Sequence, residues 1–290
     1  MPAGIWKATA GLIVVLLVAV VGLDQWQARH GEVSLLGLSW KARQPRLDAA
    51  AAPAQAGTAS LPRPPLPTRG GPRVAIIVDD LGGRRDVFEL LKEVGRPLAV
   101  AVLPELPLSG WIAREAARSG MEVLLDLPME PYRYPELDPG PGALMMSMSP
   151  DELQRVVARH LAGLPLVTGV TPHMGSRMTE DRERMRAVLG VMAARRLFLV
   201  DTLTSNLSVA HDEAREMGVR AGRRRVLVDH AGGEAGDRAR WDEVARWAER
   251  RGEVIVVAHG HPLTARLLKE YIPSWEARGM RLVPVSQLTR

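Results

Sequence analysis

The fold of this chain is decided by the stretch RVAIIVDDLGG, residues 73–83. Its apolar run, Val74–Val78, is rich in β-branched residues and predicts a buried strand. The run stops at two adjacent carboxylates, Asp79 and Asp80, which a leucine and two glycines follow. Neighbouring side chains on a strand point to opposite faces, so one interpretation is a helix cap beside a solvated neighbour. The other is a backbone distortion, permitted by the glycines, that turns both carboxylates toward one site, where one binds a metal and the other acts as a base on water.

Apolar runs of strand length alternate with helical patterns from residue 73 to residue 290. Two of the intervening helices are predicted to begin at Ser149, a cap that precedes Pro150, and at Thr179. This alternation is typical of a mainly parallel sheet, either open or closed into a barrel, in an α/β domain of residues 73–290. The eight predicted strands are 74–80, 98–103, 122–129, 167–174, 197–201, 225–229, 254–259 and 281–285.

Acidic and histidine side chains lie at or just past the predicted C-terminal ends of these strands. Functional sites of parallel α/β folds are built at that edge, because side chains from distant sequence positions converge there. A single acid after a strand commonly caps a helix, but converging carboxylates repel one another unless a cation lies among them. Aspartate and histidine together suit a zinc-like divalent metal. The residues concerned are Asp79, Asp80, Glu105, Asp126, His173, Asp201, Asp229, His230 and His259.

The same edge provides further candidates for the chemistry. We expect Asp80 and His173 to contact one divalent cation, so their side chains should lie close together. His259 and His261 flank one glycine, and their rings face one cavity only if the chain turns between them. Asp201 suits a helix cap as well as a catalytic role. Glu130 and Ser176, at the rim of the predicted site, are candidates for substrate binding. The arginines at 223–225 are expected to be solvated and to lead into a strand.

Several classes of function are excluded by what the sequence lacks. It has no cysteine, so neither disulfides nor thiol catalysis is available. A Gly-x-Ser-x-Gly motif, a phosphate-binding loop and a complete dinucleotide fingerprint are also missing. Seven of the 38 Lys/Arg and three of the 33 Asp/Glu lie in residues 1–72, which leaves 31 basic and 30 acidic residues in the remainder. A domain so nearly neutral has no electrostatic footprint for nucleic acid. Hydrolysis by a metal-activated water remains.

The first 72 residues differ in composition from the rest. Residues 4–23 form an apolar stretch of roughly 20 residues, long enough to cross a bilayer, with Lys7 near its start. We expect residues 1–23 to anchor the chain in the inner membrane, with the rest in the periplasm or otherwise outside the cytoplasm. A cleaved signal peptide and a buried core helix are the alternatives. Residues 24–72, rich in proline and alanine, predict a flexible linker.

Seven short motifs resemble those of the divergent polysaccharide deacetylase family, bacterial envelope proteins related to the NodB-type carbohydrate esterases. The motifs are AIIVDDLGG, AVLPELP, GMEVLLDLPMEP, LDPGPGAL, TPHMGSRMT, LFLVDTLTS and AHGHP, and the likeness extends over residues 73–290. The resemblance implies a distorted (β/α) barrel of about seven parallel strands. It also implies that Asp79 is the catalytic base and that Asp80 binds the metal.

Two motifs of the ordinary deacetylases are changed in this chain. Where those enzymes have His-Ser/Thr-x-x-His, Asp126 and Glu130 stand, and His173 takes the region of their absent Arg-x-Pro-Tyr motif. The resemblance therefore implies a rebuilt site for a divalent metal, zinc by its ligand types, in which Asp126 or a C-terminal histidine completes Asp80 and His173. The implied activity is removal of N-acetyl groups from a glycan or peptidoglycan of the cell envelope, or another hydrolytic step on such a polymer.

A second hypothesis belongs to another functional class. In the enzyme interpretation, a histidine across the cleft, His259 or His261, protonates the leaving amine. In the alternative, the chain is a non-catalytic envelope protein that binds glycan strands or a cell-wall partner through a relic of the site. The retained Asp79 and His173 favour chemistry, whereas the lost histidine pair favours binding.

Overall fold

The structure, a computed structural model, describes residues 70–229 and 233–290. The expected anchor at 1–23 and the expected linker up to residue 69 lie outside the described residues. Among the helices that are described, none is long and apolar enough to cross a membrane. The first strand begins at Arg73.

In the part of the chain that the structure describes, nine strands form one sheet in which every paired neighbour is parallel. All eight predicted strands are present, which confirms the parallel α/β class, although those at 225–229 and 281–285 are shortened to two residues each. The hydrogen-bonded order is β6-β5-β4-β3-β2-β1-β8-β7, and β9 pairs with the start of β1. The strands are β1 (Arg73–Leu81), β2 (Ala99–Val102), β3 (Glu122–Met129), β4 (Gly169–Met174), β5 (Phe198–Asp201), β6 (Ala221–Arg223), β7 (Val226–Leu227), β8 (Glu253–His259) and β9 (Arg281–Leu282).

Strand β6 is the one that the sequence did not predict. Its three residues, Ala-Gly-Arg, contain no apolar run. Glycine fits closely there, because a Cβ on Gly222 would lie 2.7 Å from Cδ1 of Ile255 and that side chain would have to shift. The sheet therefore has nine strands and not about seven. Within the described part of the chain its end strands β6 and β7 are not paired with each other, so the expected barrel is an open half-barrel.

The strands are buried on both faces because their residues alternate between two apolar cores. On β1, Val74 and Ile76 face the outer core, which the helices cover. Ala75 and Ile77 face the inner core, which also contains apolar residues of the C-terminal segment 283–288. The position of a residue in this alternation decides whether a polar side chain at a strand end points into the half-barrel or toward the helices.

Helices connect most of the strands. The predicted cap of the third helix is confirmed, because Ser149 Oγ accepts the N–H of Glu152 and the Glu152 carboxylate accepts the N–H of Ser149. The prediction that the fourth helix begins at Thr179 is wrong, because Met178–Glu180 form a 3₁₀ turn and Asp181 is the cap. The helices of the described residues are α1 (Arg85–Lys92), α2 (Ser109–Arg118), α3 (Pro150–Gly163), α4 (Arg182–Ala194), α5 (Ala210–Glu216), α6 (Gly233–Arg251) and α7 (Pro262–Ala277).

Candidate metal centre

The backbone at the end of β1 is distorted at its two carboxylates. The pairing register with β2 shifts between Val78 and Leu81. Asp80 has a φ of 59°, and this left-handed conformation costs a non-glycine residue about 1–3 kcal/mol. Asp79 continues the inner face of β1, and the turn at Asp80 brings both carboxylates within 4.8 Å of a common histidine. The prediction that a distortion aims both carboxylates at one site is confirmed.

Three side chains from β1, β3 and β4 form a compact polar group. Asp80 Oδ1 lies 2.7 Å from Nδ1 of His173, and Oδ2 of Asp126 lies 3.8 Å from the same nitrogen. The backbone N–H of Asp80 donates to Oδ2 of Asp126 at 3.0 Å. One ligand atom from each residue lies within 4.8 Å of the others, which is a spacing suited to a single ion. The expected proximity of Asp80 and His173 is confirmed, whereas their binding of metal stays a prediction.

A second group shares Asp80 and adds Asp79 and His259. Strands β1 and β8 pair with Asp79 beside His259, so both side chains reach the inner face of the sheet together. Asp229 lies 2.7 Å from Nδ1 of His259 and accepts the backbone N–H of the same residue at 2.7 Å. With Nδ1 engaged, the ring keeps Nε2 for a substrate.

The carboxylates of the two groups have perturbed acidities. Burial, followed by the charge of Asp126, raises the pKa of Asp79 well above 3.8. Burial also raises the pKa of Asp126 to about 6, against the charge of His173. For Asp80, burial is outweighed by the hydrogen bond and charge of His173, so its pKa is lowered. The lowered pKa of Asp80 favours its ionised form, whereas the raised pKa values of Asp79 and Asp126 oppose the ionisation of those two carboxylates.

Both histidines are more basic than usual. Burial opposes the protonation of His173, but the hydrogen bond with Asp80 and the charge of Asp126 raise its pKa to about 9. For His259 the hydrogen bond with Asp229 is the main cause of a pKa of about 9. A histidine with this pKa carries a proton at neutral pH and can donate it.

The donor set fits a divalent cation. Among the described residues, Asp79 Oδ1 and Asp126 Oδ1 are buried without a hydrogen-bond partner. A buried polar atom without a partner costs free energy, and a cation held by Asp80, Asp126 and His173 would remove that cost for Oδ1 of Asp126. Two carboxylates and an imidazole match the ligands of zinc and related metals, and three protein ligands leave one position for water.

The family assignment rests on a match that extends over the half-barrel and this site. The family described as divergent polysaccharide deacetylase matches residues 76–289. The chain belongs to the divergent polysaccharide deacetylase family. This confirms the resemblance drawn from the seven motifs, and the match contains every member of the two polar groups.

Similar proteins support the family fold. The uncharacterized protein YibQ of Escherichia coli K12 is 32% identical over 200 residues, which are 69% of this chain and 62% of that protein. The match thus spans less than two thirds of that relative. The crystal structure of the uncharacterized protein ATU2773 from Agrobacterium tumefaciens C58 superposes with a TM-score of 0.70 at 25% identity, over 78% of this chain and 92% of the other. A putative cellobiose-phosphate cleavage protein, EF3048 of Enterococcus faecalis V583, shares the fold alone, with a TM-score of 0.54 and 12% identity over 76% and 100% of the two chains.

Two residues expected to bind substrate lie in the loops that follow β3 and β4. Glu130 is buried, and its carboxylate accepts from Arg177 at 2.7 Å and from the backbone N–H of Met146 at 2.8 Å. Ser176 Oγ accepts the backbone N–H of Tyr132 at 3.1 Å. These contacts join the loop after β3 to the loop after β4. Contact of Glu130 and Ser176 with substrate stays a prediction.

Two expected catalytic residues are not in either polar group. Side chains two residues apart on a strand share a face, and Leu199 of β5 belongs to the outer core. Asp201, two residues later, therefore also points toward the helices. There it is fully buried and accepts from Leu203 N–H at 2.9 Å and from the Ser208 hydroxyl at 3.1 Å. His261 is exposed at the N-terminus of α7, where its side chain makes no capping hydrogen bond, and its ring centroid lies 6.3 Å from that of His259. The structure gives Asp201 a structural role, and catalysis by either residue remains untested.

Sequence reasoning missed two features of the site. The sequence predicts Asp229 at a strand end, but nothing in the sequence indicates that its carboxylate binds the ring of His259. The polar groups open into a cleft of about 500 Å³ that Arg224 and Arg225 also line. The arginines at 223–225 do precede β7, as expected, but two of them contribute to the site and not only to a solvated lead-in. Arg224 and Arg225 lie between the short strands β6 and β7, and this location was the available signal that they belong to the site. It was missed because the sequence did not predict β6.

Proposed function

We propose that this chain is a metal-dependent hydrolase that removes N-acetyl groups from a glycan of the cell envelope. The observation that carries the proposal is that four side chains suited to act as base, metal ligands and proton donor line one cleft at one edge of the sheet: Asp79, Asp80, His173 and His259. Family membership supports the glycan as the substrate class. Asp and His ligands without cysteine or a nucleophilic serine motif support attack by water.

The residues divide the chemistry among them. A divalent cation, zinc by ligand preference, held by Asp80, His173 and Asp126 would supply Lewis acidity toward water and the amide carbonyl. Asp79 takes a proton from the attacking water at its unpaired Oδ1. The water oxygen adds to the amide carbon and the C–N bond breaks, which gives acetate and an amine. His259 donates the proton that the leaving nitrogen needs from Nε2, while Asp229 holds its ring.

A non-catalytic role as a glycan-binding protein is the second candidate. It is favoured by the 2.7 Å contact of Asp80 and His173, because a protonated imidazole and a carboxylate satisfy each other without a metal ion. Asp126 at a place where the ordinary enzymes have histidine points in the same direction. In this alternative the cleft binds the polymer and releases no product.

The two candidates differ in metal content and product. The purified full chain, loaded with zinc and desalted, should retain about one ion per chain and release acetate from N-acetylated chito-oligosaccharides or peptidoglycan. A chelator should stop acetate release, and added zinc should restore it. Absence of both metal and acetate, with glycan binding retained, would favour the non-catalytic candidate.

We further propose that the domain acts outside the cytoplasm, held at the inner membrane by residues 1–23 and spaced from it by residues 24–72. The support is the apolar stretch at residues 4–23 and the positive charge on its N-terminal side. A reporter enzyme fused after residue 72 should be active only when it is exported. Reporter activity in the cytoplasm would contradict the orientation.

A further inference from the structure

We propose that the glycan substrate carries an anionic group, a carboxylate or a phosphate, and that a wall of arginines holds it. This wall, Arg224, Arg225 and Arg240, lines the same cleft as Asp79 and Asp80. The inference rests on the proposed function, since it specifies the substrate class of that site. The bound anion would lie within one or two sugar units of the scissile acetamide, because the cleft measures about 500 Å³.

Arg224 is the half-buried member of the wall. Its Nε and Nη2 donate to the backbone carbonyls of Thr202 and Leu203, which fixes the guanidinium against the loop after β5. No carboxylate of the described residues lies within 4 Å of it. Burial lowers its pKa, against the charges of Asp201 and Asp79. A guanidinium that has lost part of its hydration without gaining a carboxylate is stabilised by an oxyanion of a ligand.

The other two members of the wall keep their charge available. Arg225 is exposed, and none of the described carboxylates lies within ion-pair distance of its guanidinium. Arg240, on α6, contacts Glu243 at 2.7 Å, but the Arg240 side chain is 57% exposed, and such a surface pair contributes little. Neither arginine is therefore neutralised in the way that a structural ion pair would neutralise it.

The charge of the whole cleft points to the same class of ligand. Among the described residues, the carboxylates that line it are Asp79 and Asp80, which belong to the metal-type groups. A divalent cation held by Asp80, Asp126 and His173 would cancel the charge of its two carboxylates, which leaves Asp79 against the guanidinium groups of the wall. Positive charge focused in a cleft attracts anions, and the planar guanidinium fork matches the paired oxygens of a carboxylate or a phosphate. A neutral polymer such as chitin would leave this wall without a partner.

The test is a set of binding measurements on the full chain carrying Asp79→Asn and loaded with zinc, so that no probe is consumed. The probes are the disaccharide of N-acetylglucosamine and N-acetylmuramic acid, its carboxyl methyl ester, chitobiose and chitobiose 6-phosphate. An acidic probe should bind about tenfold more tightly than its neutral counterpart, as expected for one charge-assisted hydrogen-bonded contact. Tighter binding of the carboxylated or of the phosphorylated probe identifies which anion the wall accepts.

Arg225→Gln is the informative variant, because the exposed side chain can be replaced without disturbing the core. It should remove most of the preference for the acidic probe. Arg195→Gln, which removes the same charge from an exposed position at the end of α4, should leave that preference unchanged. Equal binding of acidic and neutral probes, an equal loss in both variants, or no binding of any probe would overturn the inference. Acetate release by the unmodified chain is measured separately, so failure of the deacetylase proposal remains distinguishable.

Discussion

Asp80 is the residue on which both polar groups depend. Its carboxylate contacts His173, and its backbone N–H binds Asp126. Its left-handed φ of 59° allows consecutive carboxylates to serve one site, which a regular strand forbids. Strained backbone of this kind persists only where the surrounding structure holds it, so the two contacts of Asp80 also explain how the strain is maintained.

Replacing either member of the Asp80–His173 pair by alanine should abolish metal retention. Each replacement removes one of three ligands, and both side chains lie at the edge of the sheet and not in its core, so the unfolding temperature should change little. Asp79→Asn is the matched control, which should keep the metal and lose activity by about 10²–10⁴-fold, the usual contribution of a general base. Metal content by mass spectrometry and acetate release give the readings. Full metal retention by both alanine variants would contradict the ligand assignment.

Asp229 should act as a positioning residue for His259. Asp229→Asn replaces by a neutral amide the carboxylate whose hydrogen bond is the main cause of the raised pKa of His259, so that pKa should fall from about 9 toward the ordinary value of 6.5. We expect kcat to decrease with little change in KM, because the ring acts in the chemical step, where it protonates the amine nitrogen of the glycan as the C–N bond breaks. The two readings are the His259 resonance in an NMR titration and the separate kinetic constants. An unchanged His259 pKa would show that Asp229 has no such role.

The sequence was sufficient to predict that Asp80 and His173 lie close together, but it was not sufficient to predict the direction of the Asp201 side chain. Parallel strands end at one edge, so acids and histidines after their apolar runs converge whatever the details of the sheet. Which face a side chain takes depends on the alternation of its own strand. Asp201 follows the outer-facing Leu199, and the short run at 197–201 gave no means of deciding that alternation in advance.

At the scale of the elements, the strained backbone conformations of the cleft lie at or just after the ends of strands. Asp80 at β1, Met174 at β4 and Leu203 after β5 have φ values of 59°, 52° and 52°. All three line the cleft, although none is a glycine. Left-handed residues at the ends of three strands direct the following segments around a common opening. Non-glycine strain of this kind clusters at functional sites in proteins generally.

Helix α3 offers a test of local stability that is separate from the site. Ser149→Ala removes the hydroxyl that accepts the N–H of Glu152 but keeps the backbone N–H that donates to the Glu152 carboxylate, and we expect it to lower the free energy of unfolding by about 1 kcal/mol. Ser147→Ala, at an exposed residue of the same loop, should change the free energy of unfolding by less than about 0.5 kcal/mol. Chemical denaturation of the two variants measures the difference. Equal effects would show that the capping contacts do not stabilise the helix.

The long elements were predictable and the short ones were not. Strand β1 has five consecutive buried apolar residues and could hardly be missed. Strand β6 contains Gly222, which fits there because it passes close to Ile255, a contact between distant parts of the chain that no local pattern records. Because β6 was not predicted, the arginines that follow it were not expected to line the cleft. The error in one short strand therefore became an error about the site.

At the scale of the domain that the structure describes, the sheet is open and the C-terminal segment helps to cover its inner face. Leu288 is 5% exposed and packs in the inner core with residues of β1, β5 and β8. Leu288→Ala should lower the free energy of unfolding by about 2–5 kcal/mol. Gln287→Ala, at the exposed neighbour, should cost less than about 0.5 kcal/mol. A small effect of the leucine variant would mean that the segment does not contribute to the fold.

The central claim is that the half-barrel holds a divalent metal between Asp80 and His173. The most direct measurement is anomalous diffraction at the zinc edge from crystals of the zinc-loaded protein. The account predicts one strong peak about 2.0–2.2 Å from an oxygen of Asp80 and a ring nitrogen of His173, with the direct contact between the two side chains broken. Crystals that show no peak at this position, with the 2.7 Å contact of Asp80 and His173 intact, would contradict it.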